Sequence, residues 1–579
     1  MIKKLTAGAM ALAISVAPQV YAEPHNEGNG IQRVLLISID GMHAVDYLNC
    51  VSGGYCKNLA TLGQTGVNYT RTSTSRPSDS FPGLMALVTG GTPKTVGAYY
   101  DVAYDRVLAP PENDTGNGNF SGPCNPGVAN GTTTEYEEGV DIDQRLLNGG
   151  NGKMMIDGDW TAIDSTRLPR DPFSKPKACA PVYPWNFIRT NTIYGVIHKA
   201  GLYTAWSDKH AVYAAVSGPT GTAVPSNVDD YYSPDVNSNV VGLPVSTPSG
   251  HSCASPTGNG AWTDDFQDIQ CYDTLKVNAV VNEIDGMDHL GKKKTKVPNI
   301  FGMNFQAVSV GQKLIEKGIK GGYTDAEGTV TTSLQDEITF VDASIGEMVS
   351  ELTKQGLLKS TLIIITAKHG QSPIDTHRFQ ELGHGITSTP ADVIAGFLPT
   401  LPAGGAPENP NTPNKTVTVT RPPLTAGDSL GAIGPTQDDV SLLWLAKGAD
   451  TTAAVNLLEM NGTAIGLGQI FTGPSLETIY DDPASDSRTP DIIVEPNVGV
   501  IYTGSSKKQE EHGGFAHDDT NVMMLVSNPS FKPKTVTTFV ETTQVAPTIL
   551  QALGLDPGDL DAVQKEGTAV LPGLHLGGE

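Results

Sequence analysis

Four short runs constrain this chain more than anything else in it: VLLISI at 34–39, LIIIT at 362–366, DIIVE at 491–495 and VMMLVS at 522–527. Each is apolar, mostly β-branched or long-chained, and closed by polar or glycine residues, as a strand buried on both faces must be. Helical patterns alternate with them. One covers 335–355, with Ile338, Val341, Ile345, Val349 and Leu352 on a single face, and shorter ones cover 453–458 and 543–553. Continuous apolar strands interleaved with amphipathic helices need a sheet covered on both sides. The predicted fold class is therefore α/β, a mostly parallel central sheet sandwiched by helices.

The chain has 579 residues, more than such a sheet needs. Two stretches of different composition account for the excess. Residues 107–300 are rich in Gly, Asn, Pro and Asp and hold four of the six cysteines, while 385–436 is rich in Pro, Thr and Gly. Structureless loops that long are uncommon in a compact domain. The first is predicted to be an inserted cap over one sheet edge, held by disulfides, and the second a surface excursion. The core then comes in three parts, 23–106, 301–384 and 437–579. Ahead of them, Lys3 and Lys4 precede an apolar run over 5–17, and Val20, Tyr21 and Ala22 form a peptidase site, so 1–22 reads as a signal peptide of a periplasmic or secreted protein. No later run reaches the ~18 apolar residues of a membrane span. In an oxidising compartment the cysteines at 50, 56, 124, 179, 253 and 271 would pair. Pairing between sequence neighbours is the predicted pattern among about 15 connectivities.

Acidic residues outnumber basic ones 62 to 38, for a net charge of -24. The only basic run is Lys292 to Lys294, so binding to long nucleic acid is opposed by the overall field. A small anionic ester remains open, because a local site can invert the sign. Two features point to such a site. Asp40, followed by Gly41, closes the first strand at the edge where open α/β sheets place ligands. The segment 72–91, TSTSRPSDSFPGLMALVTGG, runs from a polar loop into an apolar helix; Pro82 suits its first turn, which sets Ser80 at a helix N-terminus, favourable for an anion. On position alone, Asp40 reads equally as a turn acid and Ser80 as a helix cap.

ISIDGM, SFPGLMALVTG, ITAKHG, EHGGFAHDD and TTQVAPTILQALGLDPGDL occur in the order used by the alkaline phosphatase superfamily, and the chain looks most like its type I phosphodiesterase/nucleotide pyrophosphatase branch. There a Thr or Ser nucleophile, followed by Phe-Pro, sits nine residues before the Thr of a Thr-Gly pair, the spacing of Ser80 to Thr89. The resemblance covers roughly 30–106 and 300–570. It implies a hydrolase of phosphate esters with Ser80 as nucleophile and two zinc-like ions on the attacking and leaving oxygens. Carried over, Asp40, Ser80 and His369 match ligands of one metal and His512 a ligand of the other.

The departures bear on the same site. Where the family has Asp-His-Gly, this chain has Lys368-His369-Gly370, an ammonium in place of a ligand carboxylate. Lys368 can pair with Asp40 or contact substrate oxygens. Where the family has Asp-x-x-Gly-His, the chain has Asn304-Phe305-Gln306 and no acid or histidine; Asn304 and Gln306 suit calcium or magnesium better than zinc. Asp208-Lys209-His210 is similar to a sulfatase segment that places Lys and His on the sulfate, which makes Lys209 and His210 substrate-contacting candidates. Further candidates are Asp285 with His289 as a replacement ligand pair, His517 and Asp518 as acid–base groups, and His384, to which no role is given. Two rival functions follow: a binding protein that keeps the fold and has lost its metals, and a sulfatase-like hydrolase with one hard ion. The oligomeric state has no signature in the sequence.

Overall fold

The computed structural model describes residues 30–114, 121–136, 156, 158–256, 260–382, 389–395, 436–445, 448–503 and 508–576. The signal-peptide reading of 1–22, His384 and most of 385–436 lie outside these residues.

The main sheet has eight strands, in the order Lys534–Val536, Gly66–Tyr69, Leu525–Ser527, Thr361–Thr366, Arg33–Ile39, Ile300–Phe305, Ala205–Ser207 and Asp230–Tyr232. Only Leu525–Ser527 runs against its neighbours; the five strands from Thr361–Thr366 to Asp230–Tyr232 are parallel. Side chains alternate between the faces as strand geometry requires. Val34, Leu36, Ile300, Leu362 and Ile364 join one core with the Ser80–Thr89 and Val545–Ala552 helices. Leu35, Ile37, Ile39, Phe301, Met303, Ile363 and Ile365 join another with Phe266–Ile284 and Thr332–Lys354. Gly302 is fixed by crowding in the centre of the sheet, since a Cβ there would lie 1.7 Å from the Leu36 carbonyl oxygen.

Two sequence expectations are corrected. The run at 491–495 forms a strand, Ile492–Pro496, but in a separate four-stranded antiparallel sheet with Thr436–Gln437, Ser441–Leu443 and Leu467–Thr472. That sheet is covered on one face by Trp444, Leu442 and Tyr480 and on the other by Leu443, Ala454 and Leu458. Burial on both faces gives an antiparallel strand the same continuous apolar signature as a parallel one. The span 107–300 is also more than a cap: Ala205–Ser207 and Asp230–Tyr232 extend the main sheet, and Phe266–Ile284 covers its face. Their strands are three residues each, too short for periodicity to register. The three disulfides join sequence neighbours, Cys50–Cys56, Cys124–Cys179 and Cys253–Cys271.

Candidate active site

Strand register assembles the site. Ser38 lies opposite Asn304 on one side and Thr366 on the other, and Met303 lies opposite Ser207. Four parallel strands thus end at one level and deliver Asp40, Asn304 with Gln306, Lys368 with His369, and Asp208 with Lys209 to the same carboxyl edge. The Ser80–Thr89 helix closes over that edge. Its N-cap is Asp79 rather than Ser80: the Asp79 carboxylate accepts from the Phe81 amide at 3.1 Å, leaving Ser80 as the first helical residue with its hydroxyl uncommitted to capping. Gly83 permits the approach, because a Cβ there would lie 2.2 Å from the Lys368 carbonyl oxygen. The Thr74 hydroxyl donates to the same carbonyl.

Lys209 Nζ donates to Ser80 Oγ at 3.0 Å and stands 3.9 Å from Asp40 Oδ2. Lys368 Nζ donates to Asp208 Oδ1 at 3.2 Å, lies 3.7 Å from Asp40 Oδ2, and sits 4.4 Å over the Tyr213 ring. Asp40 Oδ2 accepts further bonds from Asn304 Nδ2 at 3.2 Å and Gln306 Nε2 at 2.7 Å, with His369 Nε2 at 3.5 Å. Asp40, Ser80, Asp208 and Lys368 are wholly buried. Burial by itself would raise the Asp40 pKa, but Lys368, His369 and Lys209 outweigh it and hold the carboxyl well below its usual range.

His512 packs on His369, ring centroids 4.2 Å apart, with Nδ1 3.5 Å from Asp79 Oδ1. Burial, then Lys313, His369, Lys209 and Lys508, push its pKa well below the ordinary imidazole value, so it is neutral at neutral pH. Its neighbour Glu511 is clamped between Lys313 and Lys508, which overcome burial and bring its pKa down to about 2.

Some sequence candidates stand elsewhere. His210, named as a substrate contact, turns to Asp235, with Nδ1 3.1 Å from its carboxylate, and stacks on Tyr213. Asp285 caps the Phe266–Ile284 helix and bonds Gln355, while His289 pairs with Asp230 and stacks on Tyr232, so the two form no joint ligand set. His517 is exposed, and Asp518 accepts from the Ile374 amide at 3.1 Å. Sequence reasoning missed Asp79 and Tyr213. An acid directly before the first helical turn was the available signal for Asp79; nothing local marks Tyr213, which reaches Lys368 only through the fold.

A two-zinc donor set does not form. Structural and catalytic zinc takes about four ligands, at least three of them from protein. Asp40 and His369 remain in one half and His512 in the other, and among the described residues no three His, Cys, Asp or Glu side chains converge as an ion requires. Asn304 spends its amide on Asp40 Oδ2, and the Lys368 ammonium, 3.7 Å from the same oxygen, would repel a dication bound there. The side chains present therefore do not fit the metal centre the resemblance implies.

The profile of the type I phosphodiesterase / nucleotide pyrophosphatase family matches residues 34–519. The chain belongs to that family. Members of it are hydrolases of phosphate esters, and so is this chain. Among solved structures it is similar to a murine ectonucleotide pyrophosphatase / phosphodiesterase 5, at 13% identity, with 91% of this chain and 96% of that one covered and a TM-score of 0.50. It is similar also to the alkaline phosphatase PafA, at 12% identity over 91% of this chain and 96% of that one, with a TM-score of 0.51. Both likenesses establish the alkaline phosphatase-like fold. No curated protein matches the chain by sequence.

Proposed function

We propose that the chain is an exported phosphodiesterase whose nucleophile is Ser80. The observation that carries this reading is the Lys209 ammonium bonded at 3.0 Å to Ser80 Oγ, at the N-terminus of a ten-residue helix. Lys209 fixes the hydroxyl rotamer, and the helix amides add positive potential where the ester's phosphorus would sit. In the first step Ser80 Oγ bonds to phosphorus while the bond to the leaving alcohol breaks, the serine proton ending on that alcohol. Water then cleaves the serine–phosphorus ester, its hydroxyl going to phosphorus and its proton to Ser80 Oγ, which restores the serine and releases the phosphate monoester. Export is supported by the signal-like start and by three disulfides, which persist in oxidising compartments.

The test is turnover of bis(p-nitrophenyl) phosphate, p-nitrophenyl phosphate and p-nitrophenyl sulfate by the full chain and by Ser80→Ala. The diester is expected to be the best substrate, and the variant to lose at least ~10³-fold in kcat. Activity in Ser80→Ala within about tenfold of wild type would remove Ser80 from the nucleophile role, and preference for the sulfate would move the reading to the sulfatase-like rival.

A further inference from the structure

We infer that this site holds its phosphoryl group with ammonium groups and needs no divalent metal: Lys209 contacts the phosphoryl oxygens, and Lys368 supplies beneath it the charge that neutralises Asp40. The inference rests on the phosphate-ester reading of the Ser80 site.

Four observations carry it. The cation in contact with the Ser80 hydroxyl is an ammonium, Lys209 at 3.0 Å, so an anion that meets Ser80 also meets its positive charge. Lys368 is no surface lysine able to swing aside for an incoming ion, since it is fully buried and held by Asp208, Asp40 and the face of Tyr213. Asp208 is itself oriented for this pairing, accepting from the Lys209 amide at 2.8 Å and from Trp206 Nε1 at 2.9 Å. Asp40, the carboxylate that would have to bind a metal, already has its Oδ2 accepting from two side-chain amides and approached by two ammonium groups, while Oδ1 is buried without a hydrogen-bond partner. Lys368 thus meets the buried charges of both Asp40 and Asp208, the role a dication would otherwise fill, while Lys209 stands against the Ser80 hydroxyl where the anion arrives.

The test uses inorganic phosphate as probe and the full chain, exposed in turn to zinc, magnesium and calcium, desalted, and assayed for metal by mass spectrometry. Phosphate binding is then followed by calorimetry with and without EDTA. Less than about 0.1 equivalent of any metal is expected, with a phosphate Kd within about twofold in the two buffers. In Lys209→Met the Kd should rise at least ~10-fold. Retention of about half an equivalent of metal or more, phosphate binding seen only with metal, no binding in EDTA up to ~10 mM phosphate, or wild-type binding by Lys209→Met would each overturn the inference. Lys368→Met should weaken binding as well, and because it can fail to fold, the chelator comparison on the unaltered chain decides without it. Should Ser80→Ala keep its activity while metal-free phosphate binding persists, the nucleophile assignment fails and this inference stands.

Discussion

Removing the Lys368 charge tests how the site is held together. Lys368→Met keeps the side-chain length and leaves Asp208 and Asp40, whose oxygens stand 3.2 and 3.7 Å from Nζ, buried without it. At an effective dielectric constant near 20 each attraction is roughly 5 kcal/mol before desolvation is subtracted. Breaking a buried pair by deleting one partner typically costs about 3–5 kcal/mol. With an unfolding entropy of roughly 2 cal/mol/K per residue, a loss near 4 kcal/mol lowers Tm by only ~3 °C in a chain this long, so denaturant titration is the sharper assay. Asp208→Asn should be destabilising alone, and the double variant less destabilised than the sum by about 1–3 kcal/mol. The pH dependence has a definite sign. Asp40 titrates well below its ordinary 3.8 in the folded chain, so its contribution is present above pH ~4 and is lost as pH falls through the folded value. The stability gap between wild type and Lys368→Met should therefore be full above pH ~4 and close on further acidification. Additive single variants, or a Lys368→Met chain as stable as wild type at pH 7, would refute the pairing.

Two further outcomes follow from the packing and the buried acids. Gly83→Ala would set a methyl 2.2 Å from the Lys368 carbonyl oxygen, backbone that cannot turn away; we expect a loss of about 1–3 kcal/mol and a fall in turnover as Ser80 is displaced, and wild-type activity would contradict the close approach. Asp519, buried beside Asp439, has its pKa pushed up to about 7 by desolvation. A carboxyl raised in the folded state stabilises fully below its unfolded value and loses that contribution as pH rises through the folded one, here on the order of 4 kcal/mol between pH ~4 and ~7. Asp519→Asn should accordingly show a smaller drop in Tm from pH 5.5 to 8.5 than wild type, and an equal drop would exclude Asp519 as the titrating group.

Most of the architecture was readable. The strands at 34–39 and 362–366 and the long helix appear as Arg33–Ile39, Thr361–Thr366 and Thr332–Lys354, because a strand or helix buried along its length carries the full periodic signal. The run at 522–527 was read as one strand and is two, Asn521–Val522 pairing with Thr72–Ser73 and Leu525–Ser527 with the main sheet. Two methionines between them let the chain change sheets without interrupting the apolar pattern. The candidates Asp40, Ser80, Lys209, Lys368, His369, Asn304 and His512 do come together; His210 and His289 do not, each being paired to an aspartate of its own.

The sequence by itself determined the alternation of elements, the order of the motifs and hence the family, since these are written in contiguous residues. It also raised the substitution at Lys368 as a question. Tertiary structure alone decided the answer. Lys209 and Ser80 are 129 positions apart and Lys368 and Asp208 160, and only the common level at which the parallel strands end, with the Ser80 helix closed over it, brings each pair within 4 Å and both lysines within 4 Å of Asp40. Hydrophobic periodicity is a local property and can be read along the chain, whereas the pairing of Lys368 with Asp40 and Asp208 in a buried site depends on distances that exist only after folding.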